Sequence, residues 1–250
     1  MVGDVHGLSP RATSNCIHAV ANAICDNMGH FIHWPNEQEL SASKIEFYQH
    51  EGWPSIVGLI DGTHIPIHTP FLPANEAAYV NRKGFHSINV QIVCDRKLKI
   101  FDLDARYPGS CHDAYILRSS QGDSGYPLKP WLLTPFIHPE NKAQERFNRR
   151  HRQIRSAVER CNGVLKTRWR CLMKPMMYQP PRSPRIIAAC GALHNFALDH
   201  GEGPPHDIEG FVDDNIMVNA NFIVDEGNGG RDNEGIRALH NIVQRLFMRQ

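Results

Sequence analysis

Ile17, Val20, Ile24 and Met28 recur at spacings of three and four, the period of a helix that buries one face. Ser9-Pro10 in front of them has the form of an N-cap followed by a first-turn proline. So little chain precedes this helix that an upstream helical partner is expected outside the sequence. A second helix is expected over residues 43–51, where Ser43-Lys44-Ile45-Glu46 reads as a capping box and Gly52 as a C-terminal stop. The pattern then changes. Ile56-Val57-Gly58-Leu59-Ile60 is a short run without polar interruption, suited to a strand buried on both faces, and it delivers Asp61 at its end with Gly62 behind it.

A proline- and asparagine-bearing connection over residues 71–84 leads to a second strand, carried by Ile88, Val90, Ile92 and Val93. Asp95-Arg96-Lys97 predicts a tight hairpin into a third strand over residues 97–104, which Tyr107-Pro108-Gly109-Ser110 breaks. Ser110 can cap a short helix through Cys111, His112, Asp113 and Leu117, with Asp113 in the first turn, where the helix dipole favours a carboxylate. Ile154, Val158, Cys161, Leu165 and Trp169, spaced by four, three, four and four, mark a long helix within residues 148–173. Another opens at Ser183-Pro184, runs through Ile187, Cys190, Leu193 and Ala197, and stops at Gly201. Ile236, Leu239, Ile242, Val243 and Leu246 suggest a short terminal helix.

Composition narrows the class. With 250 residues and 41% apolar content the chain can bury a large core. Seven cysteines, odd in number and never spaced C-x-x-C, read as reduced thiols of an intracellular protein. No leader pattern and no apolar run near membrane length are present, so a soluble protein of nucleus and cytoplasm is expected. The net charge of +1 hides a strong asymmetry. Between Lys142 and Lys174, eleven bases face only Glu145 and Glu159, whereas between Asp199 and Glu234 ten acids face only Arg231. The basic stretch, with Arg149, Arg150, Arg152, Arg155, Lys166 and Arg168 as candidate phosphate contacts, suits a nucleic-acid backbone. The acidic stretch reads as a solvated tail.

Hard divalent ions prefer oxygen ligands, and two of them held about 4 Å apart need several carboxylates from separate elements. Asp61 at a strand end, Asp123 in Gly122-Asp123-Ser124-Gly125 and Glu159 on the basic helix could meet at one sheet edge. Any three acids could be drawn this way.

A resemblance sharpens the choice. Ile60-Asp61-Gly62-Thr63-His64-Ile65, Asn81-Arg82-Lys83-Gly84, Pro108-Gly109-Ser110 with His112-Asp113, Gly122-Asp123-Ser124-Gly125-Tyr126-Pro127, and Val158-Glu159-Arg160 through Leu165-Lys166 and Arg168-Trp169 resemble, in order, the motifs of the PIF/Harbinger transposase family. The likeness runs from about Leu8 to Gly201 and is strongest to domesticated Harbinger transposase-derived nucleases of animals. It implies an α/β fold, a ribonuclease-H-like mixed sheet with flanking helices. It also implies an Asp-Asp-Glu triad at Asp61, Asp123 and Glu159, with Asp113 a further metal ligand and Mg²⁺ or Mn²⁺ as cofactor. DNA is the implied substrate, and a separate DNA-binding protein the implied partner. Residues 1–52 then read as the end of a helix-turn-helix-like region, 53–200 as the nuclease domain and 201–250 as the acidic tail with its short helix.

One departure stands out. Family members place an apolar strand before the second aspartate, whereas Arg118-Ser119-Ser120-Gln121 runs straight into Gly122, so the sheet is expected to lack one strand there. A splice form, a skipped exon or a decayed copy would account for it. Two readings therefore stand: a metal-dependent DNA nuclease, and a catalytically inactive transposase-derived protein that binds DNA or protein. A trypsin-like reading of Gly-Asp-Ser-Gly fails for want of an Ala-His-Cys motif and of an oxidising context. His64 and His68 lack a matching pair to complete a zinc set.

Overall fold

The computed structural model describes residues 7–53, 55–70, 73–112, 116, 132–133, 136, 138–205 and 221–224. Its centre is an antiparallel three-stranded sheet of β1 (Ile56–Pro66), β2 (Ser87–Cys94) and β3 (Ile100–Pro108). Two short strands, β4 (Leu132–Leu133) and β5 (Asn221–Val224), extend it in the order β3-β2-β1-β5-β4. Around it lie helices α1 (Pro10–Asp26), α2 (Glu37–Glu51), α3 (Pro73–Tyr79), α4 (Lys142–Arg168) and α5 (Ser183–Asp199). The chain is thus α/β, with helices flanking the sheet. The expected mixed sheet is not seen among the described strands: every strand pair is antiparallel, and a parallel contact occurs only as the isolated bridge Ile67 to Met176.

The short apolar run that marks β1 in the sequence is only half of the strand. β1 continues through Asp61-Gly62-Thr63-His64-Ile65 to Pro66, and all but its last residue are buried. Polar side chains persist there because β2 pairs with all of this half, from Asp61 opposite Ile92 to Pro66 opposite Ser87. Pro66 costs the ladder nothing, because it stands at the strand end. The edge of β1 away from β2 is occupied by β5, with Ile60 opposite Asn221 and Ile56 opposite Val224. Four residues from within the stretch that reads as an acidic tail thus stand in the sheet beside β1. The expected short helix at residues 111–117, the glycine-flanked Asp123 and the terminal helix at residues 236–246 lie wholly or mostly outside the described residues.

The helices start where side chains can cap them. Ser9 Oγ accepts from Ala12 N at 3.2 Å to open α1, whose buried side is Ala21 with Ile24 and Cys25 against the core. Ile17 and Val20 are exposed, so the periodic stripe does not coincide with the packed face. The capping box of α2 is Asn36 with Glu39, not Ser43 with Glu46. Ser43 sits mid-helix, where its hydroxyl donates to the Val57 carbonyl at 2.8 Å and ties α2 to β1. Gly52 ends α2 at φ +66, a left-handed position that glycine adopts without strain.

α4 begins at Lys142 under an Asn141 cap, earlier than the periodicity suggests. Its first half is anchored by Phe147, edge-on to Trp53 at 5.1 Å and to Phe136 at 5.3 Å. α5 packs on β3, and its Asn195 acts as a surrogate strand partner. Its Oδ1 accepts from Ile100 N at 2.8 Å, and its amide donates to the Ile100 carbonyl at 2.7 Å.

The β2–β3 hairpin carries a pH-sensitive group. Asp95 accepts from Lys99 N at 2.8 Å. Burial, opposed by that bond, pushes its carboxyl up to about 6 from 3.8. The folded chain then holds a proton that the unfolded chain has lost, so stability falls as pH rises between these values and is level above them. Asp95→Asn is expected to flatten that decline and to raise the melting temperature above pH 6, read from thermal melts between pH 4 and 8. A variant that melts lower at pH 7 would show that the ionised form is the stabilising one.

Candidate active site

Asp61 is 2% exposed and lies on β1 between β2 and β5, where α4 crosses the strand. The contact is specific. Asn162 of α4 donates its amide to Asp61 Oδ2 at 3.2 Å, and one turn on, Lys166 donates Nζ to the His64 carbonyl at 3.1 Å. Residues four apart share a helix face, so Asn162 and Lys166 together seat α4 on β1. Alternation along the strand puts Thr63 on the same face as Asp61. Thr63 Oγ1 and Asn162 Oδ1 are both buried and have no hydrogen-bond partner among the described residues.

Glu159 precedes Asn162 by three residues on α4, so it projects from the adjoining turn of the same side. Its side chain is 40% exposed, and its Oε1 receives Arg155 Nε at 3.0 Å. The helix that carries Glu159 is therefore joined to Asp61 through Asn162. Asp113 and Asp123 lie outside the described residues. The approach to Asp113 is nonetheless tightly held: Ser110 N donates to the Ala78 carbonyl, and Asn89 Nδ2 to the Cys111 carbonyl, each at 3.0 Å.

His64 points to the other face of the sheet from Asp61. Its Nδ1 is 3.0 Å from Ser87 Oγ, which also accepts from Asn81 Nδ2 at 3.0 Å. This buried triplet fixes the Asn81-Arg82-Lys83-Gly84 turn against β2, a structural task. His68 is exposed beyond the strand end.

The basic stripe divides once side chains are placed. Arg149 and Arg152 are exposed on α4. Arg150 donates to the Glu51 carbonyl, Arg155 pairs with Glu159, and Arg168 donates to the carbonyls of Glu202 at 3.1 Å and Gly203 at 2.8 Å. Lys166 is 2% exposed. Asn162 is a site residue that charge counting passes over. The available signal was the three-four spacing, which puts Asn162 and Lys166 at the margin of the buried stripe of Val158, Cys161 and Leu165.

Whether this ground suits a divalent ion is a question of donor chemistry. Asp61, Thr63 and Asn162 offer buried hard oxygens, the type that Mg²⁺ and Mn²⁺ prefer. Among the described residues no group of three or more histidine, cysteine or acidic side chains could hold a metal, so the described part contributes one buried carboxylate and the polar atoms beside it.

A sheet edged by helices, with an aspartate on its central strand facing a helix that carries a glutamate, is the arrangement of a nuclease-like domain of the DDE kind. The family model for DDE superfamily endonucleases matches residues 60–195, more than half of the chain, and the chain belongs to that family. Among curated proteins, "Putative nuclease HARBI1" of Mus musculus is 36% identical over 220 residues, covering 80% of this chain and 62% of that protein. The Homo sapiens protein of the same name is 35% identical over the same length and coverage. "Protein ALP1-like" of Arabidopsis thaliana is 30% identical over 232 residues, covering 80% of this chain and 56% of that protein. The likeness to the Harbinger-derived group is thus established, while the chain spans less than two thirds of the length of these relatives. No solved structure matches the chain.

Proposed function

We propose that this chain is a divalent-metal-dependent nuclease that hydrolyses phosphodiester bonds of DNA, on a ribonuclease-H-like fold. Asp61, Asp123 and Glu159 are the catalytic acids and would hold Mg²⁺ or Mn²⁺, with Asp113 as a further ligand. The observation that carries this reading is the buried Asp61 carboxylate, fixed by Asn162 of the helix that also carries Glu159. When bound, a divalent ion would activate water and stabilise the leaving oxyanion. The chain's own part is to hold the carboxylate in one rotamer through Asn162, to lock the helix in register through Lys166, and to draw the phosphate backbone with Arg149 and Arg152. The separate DNA-binding partner, the location in nucleus and cytoplasm and the three-part division at residues 52 and 200 belong to the same proposal.

A second reading, an inactive DNA- or protein-binding descendant, draws support from two observations. Glu159 is engaged by Arg155, and the β1 edge is filled by β5. Titration calorimetry with Mn²⁺ on the full chain and on Asp61→Asn separates the two: binding lost in the variant supports the nuclease, and no binding in either supports the inactive form.

Because Arg149 and Arg152, alone of the six candidate contacts, are exposed with no internal bond among the described residues, their joint replacement by alanine is expected to weaken binding to every DNA sequence alike. The slope of log K against log salt should become shallower by up to about 2, about 0.9 per lost phosphate contact. Fluorescence anisotropy between 50 and 200 mM salt measures it, and an unchanged slope would count against both residues.

A further inference from the structure

Between Gly62 and Cys94 the chain carries one acid, Glu76, against the bases Arg82 and Lys83. Glu76 of α3 is engaged by His86, whose Nε2 lies 3.1 Å from its carboxylate. The two bases stand at the tip of a turn that is held from below. Asn81, 5% exposed, accepts on its side-chain oxygen from Lys83 N at 2.9 Å, and its own backbone N–H donates to the Phe85 carbonyl at 3.0 Å. Gly84, at φ +82, donates its N–H back to the Asn81 carbonyl at 2.9 Å. Arg82, Lys83 and Gly84 are all exposed, so the tip adds nothing to the core, yet its backbone is fixed. A base on a fixed backbone loses less freedom on meeting a phosphate than one on a loose loop. Lys174, also exposed, stands at the same end of β1: two residues on, Met176 N donates to the Pro66 carbonyl at 2.9 Å, and His68 N to the Met176 carbonyl at 3.2 Å.

Where this turn lies relative to Arg149 and Arg152 is set by β1 and α4, which run in the same direction. Near the start of α4, Arg150 donates to the Glu51 carbonyl and Phe147 packs on Trp53, both just ahead of β1; further on Asn162 meets Asp61, and then Lys166 meets the His64 carbonyl. Arg149 and Arg152 are therefore at the start of β1. The turn is at its end, where Ser87 stands opposite Pro66 and Ile67 N donates to the His86 carbonyl at 3.0 Å. The helix rises about 20 Å from Arg149 to Asn162, and the strand advances about 17 Å from Asp61 to Pro66. Together these lengths match one turn of duplex DNA, about 35 Å, the interval after which a backbone returns to the same side. We propose that Arg82, Lys83 and Lys174 form a second phosphate-binding site for duplex DNA, which lies lengthwise along β1 and α4 with Asp61 and Glu159 midway between its two points of contact. The second site rests on the nuclease reading, to which it adds the direction of the duplex and the length required of it. A duplex shorter than about ten base pairs reaches only one of the two basic groups.

The test measures fluorescence anisotropy of hairpin-closed duplexes of about 8 and about 20 base pairs on the full chain, without divalent metal so that nothing is cut, over the same salt range. On the longer duplex, Arg82→Ala with Lys83→Ala is expected to weaken binding at least about tenfold at about 0.1 M salt and to make the slope of log K against log salt shallower by about 1.8. Lys174→Ala alone should take off about 0.9. The melting temperature should stay the same in each, since all three side chains are exposed. The unsubstituted chain should show a steeper slope on the longer duplex than on the shorter, and the Arg82, Lys83 double variant the same slope on both. An unchanged slope in that double variant, while Arg149→Ala with Arg152→Ala lowers it, would overturn the second site and leave the nuclease reading standing. Equal slopes of the unsubstituted chain on the two duplexes would overturn the lengthwise path. Failure of the unsubstituted chain to bind either duplex would overturn the second site and the nuclease reading together.

Discussion

Asp61→Asn is expected to lower Mn²⁺-dependent nicking of supercoiled DNA by at least about 100-fold, about 2.7 kcal/mol of transition-state stabilisation, while leaving the fold intact. The substitution keeps the shape of the side chain and removes only its charge. An asparagine oxygen can still accept the Asn162 amide, so the bond that joins β1 to α4 survives. A carboxylate at 2% exposure bears a desolvation cost that the amide does not, so without metal the variant should melt at the same temperature or higher. Loss of cleavage together with an unchanged or raised melting temperature marks the carboxylate as functional. Full cleavage by the variant would remove Asp61 from the catalytic set, and loss of cleavage with a collapsed melt would assign it to folding.

The second large effect is expected far from any charge. A Cβ added at Gly109 would sit 2.3 Å from Ser87 Oγ, 2.6 Å from the Tyr79 carbonyl oxygen and 2.8 Å from the Ser87 carbonyl oxygen. Two of these are backbone atoms, and the third is held by His64 and Asn81, so no flexible side chain can swing aside. Overpacking of this kind costs about 3 kcal/mol, which for a chain of this size lowers the melting temperature by roughly 6–12 °C. The displaced backbone leads into Ser110–His112, so the approach to Asp113 shifts with it. Gly29→Ala, where nothing lies within 4 Å of an added Cβ, is the control and should leave the melt unchanged. A fall of less than 1 °C in Gly109→Ala would show that the Gly109–Ser87 contact can open at little cost.

Particular elements show how far the chain could be read in advance. α1 is legible because Ser9-Pro10 is a local start signal, yet its buried side is Ala21, Ile24 and Cys25, since the face that packs is chosen by α5. For α2, the sequence reads a capping box at Ser43 with Glu46, but the structure caps the helix at Asn36 with Glu39. Ser43 is instead spent on the Val57 carbonyl, a bond between residues fourteen apart that no local pattern announces. β1 was readable only to Asp61, because its second half is polar and becomes strand by pairing with β2.

The sequence by itself determined the family, the order of helices and strands around Asp61, the placement of Glu159 on a long basic helix and the two oppositely charged stretches. These are local patterns and ordered motifs, and a linear reading suffices for them. Tertiary structure alone decided that Asn162 meets Asp61, that Lys166 is a buried anchor and Arg168 a tether while Arg149 and Arg152 face solvent, and that β5 stands beside β1. Each of these joins residues that are distant in the chain or differ only in exposure. A side chain's type fixes what bonds it can make, but which partner it meets depends on the packing of the whole domain.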